Sequence, residues 1–130
     1  MKLKIVTPER VVVEEDAVEA VYGKSTEGQI GILPKHVPLV TPLDIGVLHY
    51  VKAGQKQPLA VMGGLLKTDG ESVIVMSDAA EKSSDIDAAR AQSAKLRAEA
   101  RLREKSENVD VQRAQRALAR ATVRLSLTQR

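Results

Sequence analysis

The sequence predicts a chain of the α+β class in two parts, an N-terminal antiparallel β-sandwich (flattened barrel) followed by a C-terminal antiparallel α-helical hairpin. All eight glycines and all five prolines lie at or before Gly70, and short segments rich in β-branched residues occupy the same part. The rest of the 130 residues is dominated by alanine, leucine, arginine and glutamate, which are strong helix formers. We therefore expect a β-sandwich domain over residues 1–84 and a helix-turn-helix domain over residues 85–130.

The charge of the chain changes at the same place. Residues 1–80 carry 8 Lys and Arg against 10 Asp and Glu, a net charge of −2, whereas residues 81–130 carry 12 against 7, a net charge of +5. Together these give the net charge of +3, which is a weak field for a dedicated nucleic-acid binder. Only Tyr22 and Tyr50 are aromatic, so stacking of bases on aromatic side chains is close to excluded.

The residue types that several enzyme classes need are missing. The chain has no cysteine, which excludes disulfides and thiolate metal sites, and His36 and His49 are too few for a three-histidine zinc site. The sequence contains no Walker A, GxGxxG, GxSxG or HExxH motif. A non-catalytic binding or regulatory chain is therefore favoured over a small β-sandwich enzyme, and we expect no catalytic and no metal-binding residues.

Five segments of the first part predict β-strands, namely KLKIVT, RVVVEEDAVEAVYG, GVLHYVK, QPLAVMG and ESVIVMS. Ala53-Gly54-Gln55 predicts one hairpin turn. Asp69-Gly70 predicts a type I′ turn, because these two residue types tolerate the positive φ that both central positions need. Pro34, Pro38 and Pro42 have no N–H to donate, so the segment that contains them is expected to be an edge strand or an ordered loop.

The second part predicts helices over about residues 86–105 and 109–127. Ser84 followed by Asp87 fits a capping box, and Asp85 is an alternative N-cap. A break is expected at residues 106–108, where Asn108 would cap the second helix and Asp110 would lie in its first turn.

The expected seam between the helices follows a 3-4 spacing and consists of small residues more than large ones. It comprises Ile86, Ala89, Ser93, Leu96 and Ala100 on the first helix, and Val111, Ala114, Leu118, Ala121 and Leu125 on the second. A buried methyl group contributes only about 0.8 kcal/mol, against roughly 1.5–3 kcal/mol for a buried leucine. We infer a hairpin that is marginal alone and able to detach or extend, the alternative being a static hairpin packed on the β part.

Arginines form a row on each predicted helix. Arg90, Arg97 and Arg101 share one face of the first helix. The row on the second helix consists of Arg113, Arg116, Arg120 and Arg124. Guanidinium groups stay charged and bond phosphate bidentately, so the candidate ligands are a polyphosphate and an acidic protein surface. A module that binds nucleic acid or an acidic protein through this hairpin is the alternative function, and a solvated face with intrahelical pairs to Glu104 is the purely structural alternative.

Three segments resemble the ε subunit of F-type ATP synthases of the bacterial, cyanobacterial and chloroplast type. Residues 28–41, GQIGILPKHVPLVT, are similar to the G-x-x-G-I-L-P-x-H-x-P-L sequence of that family. Residues 61–81, VMGGLLKTDGESVIVMSDAAE, resemble its Gly-Gly strand and closing hairpin. Residues 85–91, DIDAARA, contain the I/L-D-x-x-R-A sequence of ε subunits that bind ATP.

This resemblance implies a rotor subunit of the central stalk that performs no bond chemistry. Its β-sandwich would dock on the γ subunit and on the polar loops of the membrane c-ring, coupling rotation to proton-driven ATP synthesis. Its helices would pack beside the sandwich in a compact state and, when extended, reach the catalytic α/β subunits and suppress ATP hydrolysis. It implies no required cofactor, ATP as a regulatory ligand, no nucleic-acid partner, and a peripheral position on the cytoplasmic face of the plasma membrane or the cytoplasmic or stromal face of the thylakoid membrane.

The resemblance also assigns residues. The rotor interface would comprise Gly28, Gly31, Leu33, Pro34, Lys35, His36 and Pro38. The ATP site would comprise Glu81, Asp87, Arg90, Ala91, Arg97, Arg120 and Arg124. Many family members have glycine where Lys35 stands, so the resemblance does not fix the exact conformation of that loop.

Overall fold

Eight strands make up the N-terminal unit, Met1–Lys82, of the computed structural model, which describes residues 1–104 and 109–128. The strands are β1 (Lys2–Val6), β2 (Val11–Glu15), β3 (Ala20–Ser25), β4 (Gly28–Ile32), β5 (Leu39–Lys52), β6 (Gln55–Thr68), β7 (Ser72–Met76) and β8 (Ala80–Lys82). They form one unclosed sheet in the order β2-β1-β7-β6-β5-β3-β4, with β8 paired to β6. The predicted β-sandwich is confirmed.

The β5–β6 hairpin contributes to both layers of the sandwich. Each of its strands has 14 residues. The Leu65–Thr68 half of β6 pairs with β7, and the Leu59–Val61 part pairs with β8. Gly63 and Gly64 lie between these two parts with φ of 75° and 122°. Glycine adopts such angles at low cost, so the strand can pass from one layer to the other at this point.

The core of the sandwich is aliphatic and follows the period of two that strands impose. Leu3 and Ile5 of β1 and Val73 and Val75 of β7 are at most 1% exposed. Leu3 lies opposite Val73 and Ile5 opposite Val75 in a parallel register. This parallel pair departs from the all-antiparallel expectation. It is possible because β1 and β7 are far apart in the chain, so no short turn fixes their relative direction.

Both predicted hairpin turns are present, and each joins two antiparallel strands. Ala53 and Gly54 join β5 to β6, and both have positive φ, 52° and 73°, as a type I′ turn requires. The type I′ prediction for Asp69-Gly70 is wrong, because only Gly70 of that pair has positive φ, at 96°. A three-residue connection forms there instead, since the carboxylate of Asp69 accepts hydrogen bonds from the backbone that follows.

Two of the predicted strand boundaries also change. The segment RVVVEEDAVEAVYG forms two strands, β2 and β3, with Ala17 at φ 56° between them. Residues 33–38 form a loop after the edge strand β4, as the prolines predicted. Pro42, however, lies inside β5 opposite Leu65, so the expectation that it prevents ladder pairing is wrong. The ladder between β3 and β5 is irregular beside Pro42, where the missing N–H is tolerated.

The C-terminal unit, Ser83–Arg130, is a helical hairpin, as predicted. It begins with a 3₁₀ turn, Ser83–Asp85, and continues with α1 (Ala88–Arg103) and α2 (Val111–Thr128), which pack against each other. None of the helices described in residues 1–104 and 109–128 is long and apolar enough to cross a membrane.

The N-cap of α1 is Asp87, so the capping predictions for Ser84 and Asp85 are wrong. The carboxylate of Asp87 accepts a hydrogen bond from the backbone N–H of Arg90 at 3.0 Å. Ser84 and Asp85 belong to the 3₁₀ turn instead, which places the first turn of α1 later in the chain.

The carboxylate of Asp110 accepts the backbone N–H of Arg113 at 3.0 Å, so Asp110 acts as the N-cap of α2 instead of lying within its first turn. The predicted cap Asn108 and the predicted break at residues 106–108 lie outside the described residues. An acidic cap also complements the positive end of the dipole of α2.

The buried face of α1 differs from the predicted seam. Ala91 and Ala98 are buried, whereas Leu96 is 56% exposed. The other predicted positions that are exposed are Ala89, Ser93 and Ala100. On α2 the prediction succeeds at Ala114 and Ala121, which are buried. The prediction that small residues form the seam is therefore correct, and the positions predicted for it on α1 are wrong.

Candidate functional site

A groove between α1 and α2 brings the arginine rows together. Its volume is about 260 Å³, and the described residues that line it are alanine and arginine alone. The arginines are Arg97 and Arg101 of α1 and Arg113, Arg120 and Arg124 of α2. Spacings of four on α1, and of seven and four on α2, place the arginines of each helix on one face. Alanines between them keep the helices close together.

The groove has the electrostatics of an anion site. Arginine remains protonated in proteins, so the described lining residues bring five like charges to the groove. Arg120 and Arg124 are partly buried, which strengthens their interaction with a bound charge relative to exposed side chains. Such an arrangement favours a ligand with several negative charges, because each guanidinium can bond two oxygens of one phosphate.

The structure divides the predicted ATP set into two groups. Arg97, Arg120 and Arg124 lie in the groove together. The described lining residues do not include Asp87, Arg90, Ala91 or Glu81. Asp87 is the N-cap of α1, and Glu81 lies in β8. The side chain of Arg90 is exposed to solvent, whereas Ala91 is buried.

Sequence reasoning placed Arg101 and Arg113 in the arginine rows but left them out of the ATP set. The signal that finds them is the helical spacing itself. Arg101 follows Arg97 by four residues and Arg120 follows Arg113 by seven, which are positions on one helix face. The motif DIDAARA, by contrast, lies at the N-terminal end of α1. Asp87 of this motif is roughly 15 Å from Arg97 along the helix axis.

Residues 33–38 present apolar side chains on a constrained backbone. Leu33 is 52% exposed and Val37 is 71% exposed. Pro34 and Pro38 fix φ on either side of His36, which lowers the number of conformations open to the loop. The Nδ1 atom of His36 lies 2.6 Å from the carbonyl oxygen of Val37. The loop is therefore an ordered apolar surface with its own internal bond.

This loop is tied to the β6–β7 connection. The N–H of Lys35 donates to the carbonyl of Gly70 at 2.8 Å. A Cβ atom at Gly70 would lie 2.9 Å from the carbonyl oxygen of His36, so glycine is needed for this close approach. Lys35 itself has φ of 70°, a conformation that glycine adopts more readily than lysine. The two loops form one surface at the same end of the sandwich.

Gly31 and Gly28 have local structural roles. A Cβ at Gly31 would lie 3.0 Å from the ring of Tyr22, which stacks on His49 with ring centroids 5.0 Å apart. Gly28 begins β4 with φ of 134°, and its carbonyl accepts a hydrogen bond from Ser25 Oγ at 2.8 Å. These contacts account for both glycines within the β3–β4 hairpin, and their place in a rotor interface stays a prediction.

Asp69 stabilises the connection that supports the loop. Its Oδ1 atom accepts the N–H groups of Glu71 at 2.9 Å and Ser72 at 2.8 Å. These two backbone hydrogen bonds lower the pKa of the Asp69 carboxyl below its ordinary value of 3.8. A lowered folded-state pKa stabilises the fold above the ordinary value, and this contribution is lost as the pH falls through the folded pKa.

We expect Asp69→Ala to lower the thermal unfolding midpoint at about pH 7 and to have a smaller effect well below pH 3.8, where the native carboxyl is protonated. Melting followed by circular dichroism at both pH values measures this. Glu71→Ala is the matched control, because Glu71 is exposed and contributes its backbone N–H to this contact. An equal loss for Asp69→Ala at both pH values would contradict the ionised-carboxylate account.

The described residues contain no group of three or more His, Asp or Glu side chains able to hold a metal ion.

Comparison with known families covers both units. Residues 1–83 match the model described as ATP synthase, Delta/Epsilon chain, beta-sandwich domain, and residues 84–129 match ATP synthase, Delta/Epsilon chain, long alpha-helix domain. The ATP synthase epsilon chain of Carboxydothermus hydrogenoformans is 49% identical over 102 residues, which is 78% of this chain and 75% of the relative. That of Herpetosiphon aurantiacus is 46% identical over 103 residues, 79% and 75% of the two chains.

Solved structures show the same fold at lower identity. A chain of the Euglena gracilis mitochondrial ATP synthase, OSCP/F1/c-ring in rotational state 1, matches with a TM-score of 0.82 at 22% identity, covering 98% of this chain and 80% of that chain. A chain of the Tetrahymena thermophila mitochondrial ATP synthase central stalk/c-ring matches with a TM-score of 0.56 at 13% identity, covering 97% and 91%. At these identities the likeness is one of fold.

Proposed function

This chain belongs to the ATP synthase delta/epsilon chain family as an epsilon chain of F-type ATP synthase, and we propose that it works in the rotating central stalk. There it would couple rotation of the γ subunit to the membrane c-ring during proton-driven ATP synthesis. The similar Euglena and Tetrahymena chains come from assemblies named for their c-ring, which supports the proposal. It would sit on the membrane surface at the cytoplasmic face of the plasma membrane, or at the cytoplasmic or stromal face of a thylakoid.

The observation that carries the coupling role is the ordered apolar loop at residues 33–38. A coupling element must transmit torque, so its contact surface has to be stiff. Two prolines, the bond from Lys35 to Gly70 and the Gly70 close approach supply that stiffness. Exposed Leu33 and Val37 supply the apolar area for docking.

The helical hairpin would be the brake on ATP hydrolysis. Leu127 is the one large side chain among the buried positions described in the hairpin, and the other four, Ala91, Ala98, Ala114 and Ala121, contribute little burial energy each, so extending the hairpin costs little at these alanines. In the extended state the arginine rows would be available to the catalytic α/β subunits. The chain itself would perform no bond chemistry and would act by obstructing rotation.

ATP is the regulatory ligand that we propose for the compact hairpin. Arg97, Arg120 and Arg124 would hold its phosphates, since the groove brings them together. Glu81, Asp87, Arg90 and Ala91 complete the set on resemblance alone. A ligand present at one hundred times its Kd would favour the compact state by about 2.7 kcal/mol if it does not bind the extended one. A free energy of that size is enough to shift a marginally stable hairpin from the extended state toward the compact state.

Turnover of ATP by the cognate catalytic core tests the brake. We expect the full chain to inhibit hydrolysis by at least about fivefold, the low end of usual coupling between sites, and a variant ending at Lys82 to inhibit little. The shortened variant keeps the fold of the sandwich, because its core cluster contains no residue after Ala80.

Co-sedimentation with the core is the control, since both forms must bind before their inhibition can be compared. Equal inhibition by both bound forms would contradict the brake and leave coupling intact. Failure of both forms to bind would contradict the central-stalk proposal itself.

A further inference from the structure

We propose that Lys35 determines the specificity of the loop at residues 33–38, its ammonium group pairing with a carboxylate of the partner that receives this loop. The pairing rests on the coupling role proposed for the loop and adds the chemistry by which the partner is chosen. A partner without an acidic group at that point would be rejected, because docking would bury the lysine without an opposite charge.

The backbone at Lys35 is held in a conformation that disfavours lysine. Its φ is 70°, in the left-handed region where a Cβ atom crowds the following carbonyl oxygen. The N–H of Lys35 donates to the carbonyl of Gly70 at 2.8 Å, and the N–H of His36 donates to that of Leu33 at 3.1 Å, so the loop is fixed in this conformation. Glycine would keep the same bonds without strain. A strained residue that glycine could replace points to a use for its side chain.

The ammonium group of Lys35 is available to a partner. Lys35 is exposed, and within residues 1–104 and 109–128 it takes part in no ion pair. On the neighbouring β6–β7 connection, the Oδ1 atom of Asp69 accepts backbone N–H groups. Lys35 can therefore form a charge-assisted bond on docking without first breaking an internal ion pair.

The charge of Lys35 is isolated within an apolar surface. With histidine counted as neutral, Lys35 is the only charged residue from Gly28 to Leu43. Leu33 and Val37, on either side of it, are both more than half exposed, so a docked partner would surround the ammonium group with apolar side chains. In such a contact a matching carboxylate is favourable, whereas a missing one leaves a costly unpaired charge. One charge can therefore decide which partner is accepted.

A carboxylate of a protein is favoured over an anionic lipid headgroup as the acceptor. Basic segments that recognise lipid surfaces contain clusters of about four to eight Lys and Arg residues. This loop supplies a single lysine. Residues 1–80 carry a net charge of −2, which an anionic membrane surface repels.

Binding of the full chain to a purified complex of the γ subunit and the c-ring, measured by biolayer interferometry at two salt concentrations, tests the pairing. Lys35→Asn removes the charge, and asparagine tolerates the φ of 70°. We expect this variant to bind about tenfold more weakly than the parent and with less dependence on salt. Lys35→Arg should bind within about threefold of the parent, and Lys35→Glu should bind more weakly than Lys35→Asn.

Lys56→Asn is the matched control for the loss of one charge. Lys56 is exposed near the start of β6, whereas the loop is tied to the connection that follows the end of this strand. This variant is expected to bind as the parent does.

Thermal unfolding of the free chain separates strain from charge. We expect Lys35→Gly to unfold at a higher midpoint than Lys35→Ala, because glycine relieves the left-handed strain and alanine does not. Both variants lack the charge, so both should bind the complex as weakly as Lys35→Asn. An equal or lower midpoint for Lys35→Gly would overturn the strain that points to a use for the lysine.

Unchanged affinity of Lys35→Asn, beside a parent that binds, would overturn the inference and leave the coupling role of the loop standing. Equal weakening by Lys56→Asn would overturn it too, because net charge would then govern docking. Capture of the parent but not of Lys35→Asn by phosphatidylglycerol vesicles would assign the lysine to lipid instead. Absence of binding by the parent and every variant would contradict the coupling proposal and the pairing together.

Discussion

The Gly64→Ala variant is expected to lose a large part of the stability of the β unit, by about 3 kcal/mol or more. A Cβ at this position would lie 2.0 Å from the carbonyl oxygen of Met76 and 2.9 Å from the Cα of Ser77. Both are backbone atoms, so no side-chain rotation relieves the clash. The φ of 122° adds strain for any residue with a side chain. Total stabilities of about 5–15 kcal/mol make this a severe loss.

Urea denaturation followed by circular dichroism measures the loss, and Gly28→Ala is the matched control. Gly28 has a similar φ of 134°, but a Cβ there would meet no atom within 4 Å. Its substitution therefore reports backbone strain alone, expected to cost about 1 kcal/mol. Equal losses for the two variants would show that the close approach to β7 contributes nothing, which would contradict the packing account of Gly64.

The prediction of the fold depended on local signals, and one of its errors occurred where the contacts are distant in sequence. Glycine, proline and β-branched residues located the β unit because they act on their own backbone. The parallel pairing of β1 with β7 has no such local signal, since it joins Lys2–Val6 to Ser72–Met76. The turn at Asp69-Gly70 was misassigned for a different and local reason. A carboxylate that accepts backbone N–H groups can replace a type I′ turn without any change in residue type.

In the helical hairpin, the prediction of the buried face was limited by the uniform composition of α1. Alanine occurs on every side of α1, so several 3-4 patterns fit its sequence equally well. The predicted pattern through Leu96 was wrong, and the buried one runs through Ala91 and Ala98. On α2 the larger apolar residues reduce this ambiguity, and the prediction was correct at Ala114 and Ala121.

The arginine groove was predictable from the two arginine rows, whereas the motif residues are not among its described lining residues. Helical spacing alone places Arg97 with Arg101 and Arg120 with Arg124, and the structure brings the two pairs into one groove. The motif residues Asp87 and Arg90 carry a capping interaction that any helix of this kind can use. The capping interaction accounts for Asp87 without a ligand, so a binding role for the motif residues stays a prediction.

Substituting aspartate at Leu33 and Val37 together is expected to uncouple proton flow from ATP synthesis in the assembled complex. Both side chains are mainly exposed, so the free chain should keep its stability within about 0.5 kcal/mol. At a docked interface the same residues would be desolvated, and a buried unpaired carboxylate is costly. A loss of about 2 kcal/mol, or roughly 30-fold in affinity, is expected for residues at the centre of a contact.

ATP synthesis by energised membrane vesicles, together with the affinity of the chain for its γ and c-ring partners, measures this effect. Leu96→Asp is the matched control, because Leu96 is similarly exposed, at 56%, but belongs to the helical unit. It should leave synthesis unchanged. Normal synthesis by the Leu33 and Val37 variant would remove the loop from the coupling contact. Loss with both variants would mean that added negative charge, and not the stiff apolar loop, disturbs the complex. Only loss confined to the loop variant connects the prolines, the Gly70 contact and the exposed apolar side chains to the transmission of torque.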